Sequence, residues 1–198
     1  MDLKELLYDN LGDATPSVGD FLIAEPIMED NYFSRSVILI VDEPEEEEHV
    51  GIILNKPTDV MLPSIFPNIE MTENIPVFCG GPVGLDRLTL LHTLGYDLGT
   101  SFEIIPGLFV GGEINKVIEY LNSEDYTEEK IRFFLGYCGW GKRQLISEIE
   151  RKFWAVSSNI NSKNLLKGAG NNYWRREVKK MGDDLRSWLT VPPDPSYN

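Results

Sequence analysis

The sequence predicts an α+β fold, and three observations carry that reading. Apolar, largely β-branched runs of strand length cluster early in the chain, while helical stripes are interspersed late. The stretch Phe133–Leu145 carries one such run into one such stripe through three glycines, Gly136, Gly139 and Gly141. With 198 residues and no internal repeat or linker, the chain is long enough for one substantial core. A single domain over 1–198 follows, with 1–17 as an N-terminal arm and 191–198 as a C-terminal tail.

Taken in order, Leu3, Leu6 and Leu7 fall at helical spacing, so Asp2–Tyr8 forms a short helix or an arm. Phe21–Ala24 is a short strand closed by Pro26. Ser36–Val41 and Val50–Leu54 read as strands, the first buried on both faces, and the acidic segment Asp42–His49 joins them as antiparallel neighbours. Residues 58–75 are irregular, since Pro63 and Pro67 limit any helix to about one turn. Val77–Cys79 is a strand leading into Gly80-Gly81-Pro82. Arg87–His92 is extended, although Leu88, Leu91 and Leu94 also fit a helix.

Phe102–Val110 reads as strand, turn and strand. Ile114, Val117, Ile118 and Leu121 share one face of a helix opened by Gly112. Ile131–Cys138 is a strand, Gly141–Lys152 a helix, and Trp154–Ser157 a further strand. Trp174, Val178, Met181, Leu185 and Trp188 lay one apolar stripe along the C-terminal segment. Gly182 divides it into two helices, with Asp183 capping the second.

Composition excludes several classes. Hydrophobic content of 42% and charged content of 25% are ordinary for a folded soluble protein. The formal net charge of −14 repels a phosphate backbone and an anionic membrane surface. The C-terminal cations Arg175, Arg176, Lys179, Lys180 and Arg186 form the one basic flank, better read as packing on the acidic body than as a nucleic-acid footprint. No apolar stretch approaches the ~18 residues of a membrane span. Cys79 and Cys138 fit no metal spacing, so the sequence calls for no metal and no cofactor, and for reduced thiols in the cytoplasm. His49 reads as an exposed loop residue without a partner.

Three turns are candidate binding segments. The Phe133–Leu145 corner can be an anion cradle, with glycines and Lys142-Arg143 at a helix entry. It matches neither nucleotide-binding glycine spacing, and the competing reading is packing: the glycines turn a buried strand into a helix while Tyr137 and Trp140 fill core. Gly80-Gly81-Pro82 is either a backbone nest or a strand-redirecting turn. Asn55-Lys56-Pro57 ends a strand. Cys138 or Cys79 with His92 is the one thiol–imidazole pairing available, set against buried structural cysteines and a packed histidine.

Four segments agree in order with a known pattern: Gly19–Ala24 with Phe33–Val37; Gly51–Pro57; Gly80–Val83 with Leu91-His92; and Gly136–Gly141 with Gln144-Leu145 and Glu148-Ile149. On these the chain resembles the bacterial AlgH/YqgE family over about residues 18–190. The resemblance implies one α+β domain whose branched, mixed and antiparallel sheet folds into a pseudo-barrel with flanking helices. It also implies a cytosolic protein of uncharacterised molecular function; some members carry the label of transcriptional regulator. Cys138 stands where a small residue such as alanine is usual, which argues against a shared nucleophile. Lys142-Arg143 depart as well, which argues against a shared contact there.

The sequence therefore points to a non-enzymatic binding or regulatory protein acting through a small molecule or a protein partner, with direct DNA binding disfavoured. The expected ligand-binding residues are Asn55, Lys56, Gly80, Gly81, Tyr137, Trp140, Gly141 and Gln144, with none catalytic. The alternative is an enzyme of unknown class using a pocket at the Gly80–Pro82 and Gly136–Gly141 turns.

Overall fold

Every part of the sheet is reached from one long strand, β9 (Ile131–Trp140). The computed structural model describes residues 16–192 apart from 31, 46–47, 68–69, 71–73 and 159. The expected arm helix and most of the C-terminal tail lie outside the described residues.

The remaining strands are β1 (Phe21–Ala24), β2 (Val37–Asp42), β3 (His49–Ile53), β4 (Pro57–Met61), β5 (Pro76–Cys79), β6 (Val83–His92), β7 (Ser101–Ile105), β8 (Leu108–Gly111) and β10 (Trp154–Ser157). They run in the order β10-β1-β2-β3-β9-β6-β8-β7. The hairpin β4–β5 branches off, with β5 parallel to β9 while β3 and β6 are antiparallel to it. The sheet curls until its ends meet. Ser162 Oγ, beyond β10, donates 2.8 Å to the Pro106 carbonyl in the β7–β8 turn, and a Cβ on Gly19 would collide with Ile105 of β7.

Strand alternation explains why the early runs are continuously apolar. In β1 and β2, Phe21, Ile23, Val37 and Leu39 join the inner core, while Leu22, Ala24, Ile38 and Ile40 join an outer one. Helix α3 (Gln144–Glu150) covers the outer face with Leu145 and Ile149. Helix α4 (Gly170–Lys180) and the 3-10 segment Gly182–Thr190 close the inner core with Trp174, Val178, Leu185 and Trp188. A third cluster gathers Leu62 of the one-turn helix α1 (Leu62–Ile65) and Val117 and Leu121 of helix α2 (Ile114–Leu121) with Ile131 and Phe133.

Five expectations need correction. The glycines at 136–141 do not turn the strand into a helix, because β9 continues through Trp140 and only Gly141 lies at its exit. Gly136, at φ 73°, is instead a bulge that shifts the alternation by one residue: Phe134 and Tyr137 both reach the inner core, whereas Cys138 and Trp140 reach the outer one. Residues 57–61 form a strand, pinned by Thr58 Oγ1 donating 2.6 Å to the Val77 carbonyl, with Pro57 tolerated at its first position. His49 is buried in β3 opposite Trp140, 3.8 Å from Glu43.

The second C-terminal element is a 3-10 helix whose cap position is Met181, so Asp183 does not cap it. Nor do the C-terminal cations pack on a separate acidic surface. Arg176 and Lys180 both meet buried Glu177 on their own helix, Arg175 donates 3.1 Å to the Leu189 carbonyl, and Arg186 lies 3.6 Å from Asp183.

Candidate functional site

Where β9 leaves the sheet, two tryptophans are fixed by one carboxylate. Gln144 and Glu148 stand four apart on the face of α3 adjacent to the Leu145–Ile149 stripe. Glu148 Oε2 accepts the indole N–H of Trp140 and of Trp154, each at 2.8 Å, and its Oε1 accepts Gln144 Nε2 at 2.9 Å. Gln144 Oε1 in turn accepts the Gly141 N–H at 3.2 Å. The two indoles meet edge to face at 6.1 Å, and Phe33 lies edge-on to Trp154 at 5.5 Å.

The β1–β2 connection forms the opposite wall. Asp30 Oδ1 accepts the N–H groups of Tyr32 and Phe33 at 2.8 and 3.0 Å, which turns Phe33 back over the site. Together with Pro82, Val83, Gly139 and Phe153 these groups enclose a cavity of about 620 Å³, within the usual range for small-molecule sites. Its charge is one-signed. Glu25, Glu29, Asp30 and Glu148 line it, and among the described lining residues none is Lys, Arg or His. Of the neighbouring cations, Lys142 lies 3.7 Å from Glu45, Lys56 Nζ donates 2.6 Å to the Ser34 carbonyl, close enough to Asp30 to feel its charge, and the Arg151 guanidinium sits 4.7 Å from the centroid of Phe153, itself one of the cavity walls.

The expected site residues are contiguous in backbone but divergent in side chain. Ile53 N–H donates 2.9 Å to Gly80, Cys79 N–H 2.8 Å to Lys56, and Gly80 N–H 2.7 Å to Leu135, so the three turns adjoin. Trp140 and Gln144 line the cavity, and exposed Gly141 hydrogen-bonds to Gln144. Gly80 and Gly81 lie against the β9 backbone; a Cβ on either would strike Gly136 or Tyr137. Tyr137, on the opposite face from Trp140, lines a second cavity of about 610 Å³ with Arg87, Asp42 and Phe102.

Asn55 is fully buried and structural. Its Oδ1 accepts Val37 N–H at 2.8 Å, and its Nδ2 donates 3.0 Å to both the Arg35 and Gly170 carbonyls. Lys56, desolvated beside it, has its pKa pushed down by burial.

The thiols and imidazole do not come together. His92 is opposite Ile131, and Cys138 is seven residues farther along the same strand, roughly 20 Å away at ~3.3 Å per residue. The Cys138 thiol donates to the Gly80 carbonyl at 3.5 Å, and burial pushes its pKa well up; the Cys79 thiol, also raised by burial, faces the Gly81 carbonyl at 3.9 Å. His92 is buried, stacked on Phe109 at 5.7 Å and 3.2 Å from Ser101 Oγ. No group of three or more potential metal ligands occurs among the described residues.

Sequence reasoning missed Glu148 as a site residue, along with Trp154, Phe153, Phe33, Asp30 and Glu25. The one local signal was the Gln144–Glu148 pair at i, i+4, on the face left over by the apolar stripe.

Comparison with known proteins supports the same architecture. A family model described as AlgH-like matches residues 21–186. The chain is similar to a UPF0301 protein of Parabacteroides distasonis, 38% identical over 196 residues and 98% of each chain. It is also similar to one of Chlorobaculum tepidum, 32% identical over 91% of this chain and 95% of the relative. Among solved structures, a crystal structure of a Corynebacterium diphtheriae protein superposes with TM-score 0.73 at 23% identity, covering 93% of this chain and 97% of that one. The solution structure of the AlgH protein from Pseudomonas aeruginosa superposes with TM-score 0.67 at 23% identity, covering 91% and 98%. At that identity the shared property is the fold. No helix among the described residues is long and apolar enough to cross a membrane.

Proposed function

The chain belongs to the AlgH-like family, and we propose that within it this protein is a non-enzymatic binding or regulatory protein of the cytoplasm, holding a small molecule or a segment of a protein partner in the cavity at the Trp140–Gln144 corner. One observation carries the reading. The cavity is walled by aromatic rings held in place by hydrogen bonds and ring contacts, with Glu148 fixed by three donors. Such a site is organised before a ligand arrives, which lowers the ordering cost of binding. Its polar groups hold rings and backbone, and the buried thiol of Cys138 is bonded to a carbonyl rather than poised beside a base. Regulation then acts through occupancy of the cavity and not through contact with duplex DNA.

A thermal-shift screen of a metabolite library, followed by indole fluorescence, tests this. A specific ligand at a hundredfold excess over its dissociation constant stabilises the fold by ~3 kcal/mol. It also perturbs emission in the wild type but not in a Trp140→Phe, Trp154→Phe double variant. A library whose only ligands bind elsewhere, or a ligand that is converted to product, would replace this reading.

A further inference from the structure

The cavity beside Tyr137 is built by six neighbouring strands. We propose that it is a second binding site, for a zwitterion of the amino-acid type: a carboxylate and an ammonium on one apolar stem. This goes beyond the binding reading above and does not depend on it.

The first support is the apolar wall. β2, β3, β9, β6, β8 and β7 are consecutive in the curled sheet, and each contributes to the lining. Ile52 belongs to the inner core, and Val41, Val110 and Tyr137 pack against it, so the floor is fixed. Phe102 stands at the edge with 68% of its surface exposed, an aromatic ring that the fold itself leaves uncovered. A space of about 610 Å³ suits a small organic ligand.

The second support is a pair of opposite charges. Arg87 and Asp42 line the same space, and neither side chain is hydrogen-bonded or ion-paired to another described residue. Arg87 is nevertheless positioned. Its guanidinium lies 6.0 Å from the Tyr137 centroid, and both side chains pack over Gly84. A Cβ on Gly84 would come within 3.2 Å of Arg87 Cδ and 3.0 Å of Tyr137 Cε1. Arg35 and Arg132, by contrast, give their guanidinium groups to carbonyls. Asp42 stands on β2, three strand intervals from β6, roughly 14 Å along the curled sheet at ~4.8 Å each. The two charges face one space from different walls without pairing.

Ligand classes separate on these groups. A simple anion gains Arg87 but meets Asp42 and the net charge of −14. A simple cation gains Asp42 but meets Arg87. A neutral apolar ligand strips water from both and returns nothing, which is costly. A zwitterion satisfies both charges and lays its stem on Val41, Ile52 and Val110.

Phenylalanine, phenethylamine and 3-phenylpropionate share one apolar stem and carry both charges, the ammonium alone and the carboxylate alone. Calorimetric titration of the full chain gives their affinities, and nitrogen-15 spectra of the amides and indoles locate them. Phenylalanine is expected to bind at least tenfold more tightly than either fragment. It is expected to shift the amides of Ile52, Val110 and Tyr137 and to leave the Trp140 and Trp154 indoles unmoved. Arg87→Gln weakens phenylalanine at least tenfold without weakening phenethylamine. Asp42→Asn weakens it at least threefold without weakening 3-phenylpropionate. Both residues are exposed, so neither variant disturbs the core. Phenylalanine and glycylphenylalanine differ in the separation of their charges, and the tighter of the two distinguishes a free amino acid from a peptide as the source.

A fragment that binds as tightly as phenylalanine would overturn the zwitterion assignment. Binding that shifts only the Trp140 and Trp154 indoles would overturn the second site while leaving the reading of the first cavity in place. Failure of phenylalanine and glycylphenylalanine alike at millimolar concentration overturns the proposal too, and the library screen still decides the first cavity separately.

Discussion

Trp174 and Trp188 stack 2° from parallel with centroids 6.4 Å apart on the inner core, whereas Trp140 and Trp154 meet at 87° and 6.1 Å on the outer face of the same sheet. The inner pair is roofed by a cation: the Arg35 guanidinium sits 4.6 Å from a Trp174 ring and donates to Asn171 and to the carbonyls of Val191 and Pro192. The outer pair is gathered by an anion, Glu148, and opens onto a cavity. Around the inner pair the long cations are absorbed by carbonyls. Arg132, for example, gives its guanidinium to the carbonyls of Leu54, Gly168 and Leu166 over the Phe78 ring, and burial pulls its pKa down to about 10. On the outer side the carboxylate of Glu148 is held by the Trp140 and Trp154 indoles and the Gln144 amide. The difference separates polarity enclosed within the fold from polarity that borders a cavity.

The seam between the two regions should be the most sensitive place to break. Gly136 rephases β9, so that Tyr137 serves one side and Trp140 the other. An alanine there would be strained at φ 73° and would drive its Cβ into the Gly81 carbonyl. Gly136→Ala is expected to cost more than about 4 kcal/mol, in the range that marks backbone conflict with a packed core. Urea unfolding followed by circular dichroism measures this. A loss under ~1 kcal/mol would mean that the strand reaches both cores without the bulge.

Next in size is the inner side. Asn55→Ala leaves the Val37 N–H and the Arg35 and Gly170 carbonyls without their side-chain partner at a buried position. A loss of about 3 kcal/mol follows from stranded buried groups. Affinity for a cavity ligand found by the thermal-shift screen should stay within twofold. An affinity collapse in this variant at temperatures where it is folded would make the two regions one.

The outer side reverses that pattern. Glu148→Ala removes the acceptor from two indoles, yet the residue is only half-buried and water can replace it. The expected stability loss is about 2 kcal/mol, from charged hydrogen bonds partly exchanged for hydration. Binding of a cavity ligand found by the thermal-shift screen should be abolished in the same variant. The contrast fails if Glu148→Ala costs more stability than Asn55→Ala.

Much of this division was legible in the sequence, and the rest was hidden for definite reasons. Val37–Ile40 and Ile52–Ile53 announce strands because both faces of those strands are buried, so every position is apolar. Trp174 to Trp188 announces a packed tail because its spacing holds through the change from α to 3-10 geometry. The strand at 57–61 was missed because it alternates polar and half-exposed residues around a proline and exists by pairing with β5. Reading the glycines of β9 as a corner failed because a bulge and a turn use the same residue type. Trp140 and Gln144 stand out locally. The rest of the cavity does not, because Trp154, Asp30 and Phe33 come from separate segments that only the curled sheet brings together.

The smallest effect concerns acid, and it belongs to the face of β6 opposite Leu91 and the inner core. His92 is enclosed by Phe109 and Ser101, and burial holds its pKa below the ordinary 6.5. Between the folded and unfolded pKa values the unfolded chain binds the extra proton, so stability must rise with pH across that window. The contribution of a neutral, packed His92 is therefore complete above about pH 6.5 and is lost as pH falls below it. A net charge of −14 acts in the opposite sense, because acid relieves repulsion among the carboxylates, so the total profile is no test. The difference between two proteins is. His92→Gln retains a hydrogen-bonding group for Ser101 and removes the titration. Urea unfolding at pH 7.5 and pH 5.5 should show the variant less stable at both values, but by a smaller margin at pH 5.5. A margin that stays constant or widens on acidification would place the imidazole within reach of water or of a carboxylate, and the packing of His92 on Phe109 would then not be closed to solvent.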